Sequence, residues 1–101
     1  MKYTEITVDK AQDIISGSDP LLLDTRDAHS YREEHIEGAM LVHDGLIENI
    51  IKQKDFERPV LIYCYHGNSS KDMADFFGGI GFKTVYSLLG GYVAWKKLAI
   101  A

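Results

Sequence analysis

At 101 residues, with 46% hydrophobic and 26% charged side chains, the chain reads as one globular domain over 1–101, large enough for a single core and too small for two. Its formal charge of −4 excludes a general attraction to nucleic acid or to anionic membrane surfaces, which need clustered Lys and Arg. The opening residues MKYTEITVDK carry no apolar secretory stretch, and no run nears the ~20 apolar residues that span a bilayer, so a soluble, cytoplasmic protein without a membrane partner is expected.

In chain order, a short strand near Tyr3–Ile6 gives way at Thr7 to a helix whose Val8, Ala11, Ile14 and Ile15 share one face, with Gly17 as its stop. Leu21-Leu22-Leu23 before Asp24 is apolar without alternation, the pattern of a parallel strand buried on both faces. Asp27 is placed to cap a short helix. Ala39–Val42 forms another apolar run. Leu46, Ile47, Ile50 and Ile51 then mark an amphipathic helix that Arg58-Pro59 is expected to break. Val60-Leu61-Ile62-Tyr63 is the clearest strand. Ser69 or Ser70 can cap a helix with Met73, Ala74, Phe77 and Ile80 inward, ended by Gly78, Gly79 and Gly81. Thr84–Leu88 is strand again, and Gly90-Gly91 turns into a last helix carrying Val93, Trp95 and Leu98. Strand and helix alternating five times predict an α/β domain, a mainly parallel five-stranded sheet with helices on both faces.

The chain has one cysteine, Cys64. It can close no internal disulfide and build no multi-cysteine zinc site, which leaves a packed hydrophobe or a reactive thiol. Its position favours the second. In open α/β sheets ligands bind outside the carboxyl ends of the strands, and Cys64 directly follows the strand 60–63. Residues 64–69 form a short loop whose amides, with the first free N–H groups of the next helix, can converge on the sulfur and favour its anion. Gly67 permits close backbone approach, Asn68 tolerates left-handed geometry, and Ser69 and Ser70 add donors without bulk.

The segments Leu22-Leu23-Asp24-Thr25-Arg26-Asp27 with His35-Ile36-Glu37-Gly38-Ala39, Cys64-Tyr65-His66-Gly67-Asn68-Ser69-Ser70, and Gly90-Gly91-Tyr92-Val93-Ala94-Trp95 together carry a resemblance. In this order they resemble the three signatures of the rhodanese domains, and within them the small single-domain thiosulfate sulfurtransferases of the GlpE type. The resemblance implies that Cys64 takes the outer sulfur of thiosulfate as a persulfide and passes it to a second nucleophile. With no second cysteine, that acceptor is external: cyanide in an assay, or a thiol such as thioredoxin. No cofactor is implied.

Tyr65, His66, Gly67, Asn68, Ser69, Ser70 and Lys71 are the expected substrate-binding residues, with His66 and Lys71 as candidate anion contacts. Asp24, Arg26 and His35 are expected to hold the rim in place. Tyr86, Tyr92 and Trp95 read as core, and Glu33-Glu34 with Lys52 and Lys54 as solvated faces. The four histidines lack metal-ligand spacing, so no metal is expected. Two other functions compete with transfer: a binding or regulatory module of the same fold, whose cue would be a missing cysteine, and a phosphatase or arsenate reductase. Phosphatases of this fold carry a loop one residue longer ending in Arg, whereas this loop closes on Ser69-Ser70-Lys71.

Overall fold

Strand and helix alternate along the computed structural model, which describes residues 2–99: β1 (Thr4–Ile6), α1 (Val8–Ser18), β2 (Leu21–Asp24), α2 (Ala28–Glu33), β3 (Met40–Leu41), α3 (Asp44–Gln53), β4 (Val60–Tyr63), α4 (Ser70–Gly79), β5 (Val85–Leu88) and α5 (Gly91–Ala99). The ends of the expected 1–101 domain therefore lie outside the described residues. All five strands run parallel in one sheet of order β1-β5-β4-β2-β3. The uninterrupted runs LLLD and VLIY pair in the middle, Leu21 opposite Val60 and Asp24 opposite Tyr63, with every residue buried.

The lack of alternation has its expected cause: both faces of the sheet are covered. Leu22, Leu61, Tyr63 and Leu88 face a cluster with Val8 and Ala11 of α1, Ile36, and Tyr92 of α5. Leu21, Leu23, Val60, Ile62 and Val85 face the opposite cluster, which holds Ile50 of α3, Ala74 and Phe77 of α4, and Phe82.

The strand order places a functional cleft. From β2 the chain moves outward to β3, whereas from β4 it moves the other way to β5. The loops after β2 and β4 thus part in opposite directions over adjacent strands, which opens a crevice at their carboxyl ends.

Several boundaries differ from expectation. Gly17 does not stop α1, which runs to Ser18 and ends on Asp19 in the left-handed conformation, φ 47°. The third helix ends at Gln53, before Arg58-Pro59, because Lys54 takes φ 53° and its N–H turns back to the Ile51 carbonyl. On α5 the face turned to the sheet carries Tyr92 with Trp95 half-buried, while Val93 and Leu98 are exposed. Gly91 begins the helix, so Tyr92 and Trp95, three residues apart, share the inner face.

Candidate active site

Cys64 leaves the end of β4 with its thiol buried. Two glycines let the loop close around it. Gly67 has φ +91°, and a Cβ there would lie 2.9 Å from the Gly90 nitrogen. That bareness brings the Gly67 N–H onto Cys64 Sγ at 3.1 Å. Gly91 has φ +59°, and a Cβ there would meet the Cys64 and Tyr65 carbonyl groups at 2.5 Å. The start of α5 can therefore press against the loop: the Tyr92 N–H donates to the Cys64 carbonyl at 2.7 Å and the Val93 N–H to the Tyr65 carbonyl at 3.1 Å. In a planar trans peptide the N–H points opposite to the C=O. Holding these two carbonyls toward α5 consequently turns the N–H groups of Tyr65 and His66 away from it.

Burial pushes the Cys64 thiol up. Against this act the hydroxyls of Ser69 and Ser70 and the backbone N–H groups of Ser70 and Gly67, and together they bring it down to about 7. Ser70 Oγ lies 3.4 Å from the sulfur and 2.8 Å from Ser87 Oγ on β5, both serines being buried. Three polar side-chain atoms thus form a chain under the loop. When the sulfur is a thiolate, Ser70 can donate to it and accept from Ser87. Neither serine caps α4. Ser69 occupies the N-cap position in helical geometry (φ −72°, ψ −24°) and makes no side-chain capping bond.

A cleft of about 300 Å³ opens over the sulfur, lined by Thr25, Arg26 and Asp27 after β2 and by Cys64, Tyr65, His66, Asn68 and Ser69 after β4. These are the two loops that part at the switch point. Gly67 and Ser70 lie beneath, bonded to the sulfur. Lys71 is elsewhere: its Nζ lies 3.6 Å from Glu5 of β1, and it does not line the cleft.

The cation that does reach the cleft is Arg26, held by a fully buried Asp24. Nη2 donates to Oδ2 at 2.8 Å, Nε donates to both carboxylate oxygens at 3.1 Å, and the Arg26 N–H donates to Oδ1 at 2.8 Å. The guanidinium also donates to the Glu34 carbonyl at 2.7 Å and lies 4.2 Å from the Tyr92 ring centroid and 5.3 Å from that of Tyr65. This stacked, bidentate arrangement suits Arg and not Lys. His35 is exposed and turned from the cleft. Its Nδ1 meets the Tyr31 carbonyl at 2.7 Å and its ring stacks on Tyr31, whose hydroxyl donates to the Ala39 carbonyl.

Sequence reasoning missed Thr25 and Glu34 at this edge, and saw Asp27 only as the cap of α2, a role the structure bears out. Thr25 Oγ1 donates to the Tyr63 carbonyl at 3.0 Å. Asp27 caps α2 by accepting from the Ser30 N–H at 3.1 Å, and Ser30 also contacts the Tyr65 hydroxyl. Glu34, read as a solvated acid, accepts from Lys96 at 2.6 Å and from the Tyr92 hydroxyl at 3.2 Å. The only local signal for Thr25 and Glu34 was their closeness to Arg26 in sequence; their partners are on β4 and α5.

A low-pKa cysteine in an amide-lined loop, at the switch point of a five-stranded parallel sheet, defines a class: the cysteine-centred α/β domains of rhodanese architecture. The model of the Rhodanese-like domain family matches residues 7–98, and the chain belongs to that family. Among its relatives, the thiosulfate sulfurtransferase GlpE of Coxiella burnetii (strain RSA 331) is 41% identical over 96 residues, covering 95% of this chain and 90% of that protein. The enzyme of the same name from Actinobacillus succinogenes is 35% identical over 100 residues, covering 99% and 90%. Solved structures agree in fold. A rhodanese-related protein of Thermoplasma volcanium superposes with a TM-score of 0.76 at 20% identity, covering 94% of this chain and 92% of that one. A Rhodopseudomonas palustris protein, described as of unknown function and a possible tyrosine phosphatase, gives 0.79 at 24% identity, covering 96% and 82%. At such identities these two likenesses speak for the fold alone.

Proposed function

We propose that this chain is a thiosulfate sulfurtransferase that carries a sulfane sulfur on Cys64, taking it from thiosulfate or a persulfide and giving it to a thiol or to cyanide. The observation that carries the reading is the sulfur itself: brought to about 7 by hydroxyl and amide donors, it sits at the floor of a cleft large enough for a small oxyanion. The curated relatives named thiosulfate sulfurtransferase support the same reaction.

In the first step the Cys64 thiolate attacks the outer sulfur of thiosulfate. An S–S bond forms to Cys64, the bond to the inner sulfur breaks, and sulfite leaves with the electron pair. The Gly67 N–H and Ser70 hydroxyl, which serve the thiolate, also stand beside the new persulfide. Of the two candidate anion contacts, His66 lines the cleft and Lys71 does not; Arg26 also lines it, with its charge paired to Asp24. In the second step an external thiol, such as that of thioredoxin, attacks the outer sulfur and releases Cys64 as thiolate, which predicts ping-pong kinetics.

Intact mass after thiosulfate treatment should rise by about 32 Da, one sulfur atom, and return on adding cyanide or reductant. Cys64→Ser should show neither the gain nor turnover. Full thiosulfate:cyanide activity in that variant would overturn the reading, as would hydrolysis of an aryl phosphate without any sulfur gain.

A further inference from the structure

A second and larger cleft, of about 590 Å³, adjoins the first and lies between α2 and α5. The two share Arg26 and Tyr65 as walls. Its size falls in the range of small-molecule sites. The reaction proposed above uses only the smaller cleft.

The chemistry of its lining is specific. Tyr65, Tyr92 and Val93 offer apolar surface, with Tyr65 and Val93 each 42% exposed. Both carboxylates at its mouth are already engaged: Glu33 with His29 at 2.5 Å, and Glu34 with Lys96 at 2.6 Å and with the Tyr92 hydroxyl. Arg26 is neutralised by Asp24. Among the described residues, Lys97 is the one cation of this lining with no acidic partner. The cleft thus presents an apolar body, one uncommitted positive charge, and a wall in common with the sulfur site.

We infer that the α2/α5 cleft is the acceptor subsite, and that it takes a small thiol bearing a carboxylate. The carboxylate pairs with Lys97, the apolar part lies on Val93 and Tyr92, and the thiolate approaches Cys64 along the Tyr65 wall. The transfer is balanced: the acceptor thiolate forms an S–S bond to the outer sulfur, the Cys64–S bond breaks, Cys64 leaves as thiolate, and no oxidant or reductant is consumed. This inference rests on the sulfur-transfer reading and adds where the second substrate binds.

The test uses protein loaded with thiosulfate and freed of excess donor, then discharged by N-acetylcysteine, by its neutral amide, or by cyanide. Wild-type protein should half-saturate with the carboxylate thiol at a concentration about threefold lower than with the amide, the scale of one exposed ion pair. Lys97→Gln should erase that preference. Val93→Trp, which fills the cleft, should raise half-saturation for both thiols by about tenfold, equivalent to one crowded contact, while cyanide discharge of Lys97→Gln stays unchanged. Chemical shifts of α2 and α5 amides on titrating Cys64→Ser with N-acetylcysteine report binding without turnover.

Equal saturation by both thiols, or indifference to both substitutions, overturns the inference even if the persulfide forms. Failure to gain sulfur from thiosulfate overturns the transfer reading first, and binding seen in the titration would then belong to a site with no acceptor role.

Discussion

At Cys64, burial and hydrogen bonding pull the thiol in opposite directions, and four donors outweigh the desolvation. Removing one of them should move the balance. Ser70→Ala deletes a hydroxyl bonded to both the sulfur and Ser87, and a hydrogen bond to a charged acceptor is worth roughly 1.5–3 kcal/mol. The pH midpoint for alkylation of Cys64 by iodoacetamide should therefore rise by about one pH unit. Reactivity of the wild type should climb with pH through about 7 and level off above it. Stability follows the same thiol. Its folded value lies below its unfolded one, so the unfolded chain binds more protons between about 7 and the ordinary thiol range. That contribution is complete above the unfolded value and is lost as pH falls through about 7. A Cys64→Ala variant should show a flatter dependence of urea midpoint on pH across this window. Asp24 and Arg26 matter differently, since both are buried and each neutralises the other. Asp24→Asn would leave the guanidinium without its carboxylate, at a cost of about 3–5 kcal/mol measured by denaturant unfolding.

Among the elements, α5 shows most clearly what local reading could and could not see. Gly90-Gly91 marks a turn in any sequence, and the structure uses it as one. What that reading lacks is the reason Gly91 must be bare: α5 starts against the carbonyls of Cys64 and Tyr65, and its first amides hold them. Gly91→Ala would force a Cβ into those carbonyls, and the loop or the helix must shift. A misplacement of about 1 Å near reacting atoms can cost about 100-fold in rate. Thiosulfate:cyanide turnover should fall by about that factor while far-UV circular dichroism stays near wild type; unchanged turnover would show that the contact does not position the loop. Ser69 and Ser70 at the start of α4 illustrate the converse. A Ser-Ser pair ahead of an apolar face is a good cap signal, but the sulfur and Ser87 offered competing partners that only the folded chain brings near.

For the molecule as a whole, the sheet divides the interior into two clusters, and the larger side chains of α4 secure the one opposite α1 and α5. Phe77, fully buried among Phe82 and the strands, should cost about 3–5 kcal/mol when cut to Ala. Urea unfolding should show this as a lower midpoint, with the persulfide still forming in the fraction that remains folded. Alternation of strand and helix, the doubly buried runs 21–23 and 60–63, and Cys64 at the edge of a strand were legible because they depend on periodicity and turn chemistry, which are local. The sequence by itself determined the parallel α/β architecture, the place of Cys64 at the carboxyl end of a strand, and the short donor-rich loop that follows it. Only the tertiary structure decided that the loops after β2 and β4 face one another, that Arg26 and not Lys71 stands at the cleft, and that Glu34 binds α5. The reason is physical: strand order and crossover direction bring together residues that are far apart along the chain, and no local pattern encodes which of them will meet.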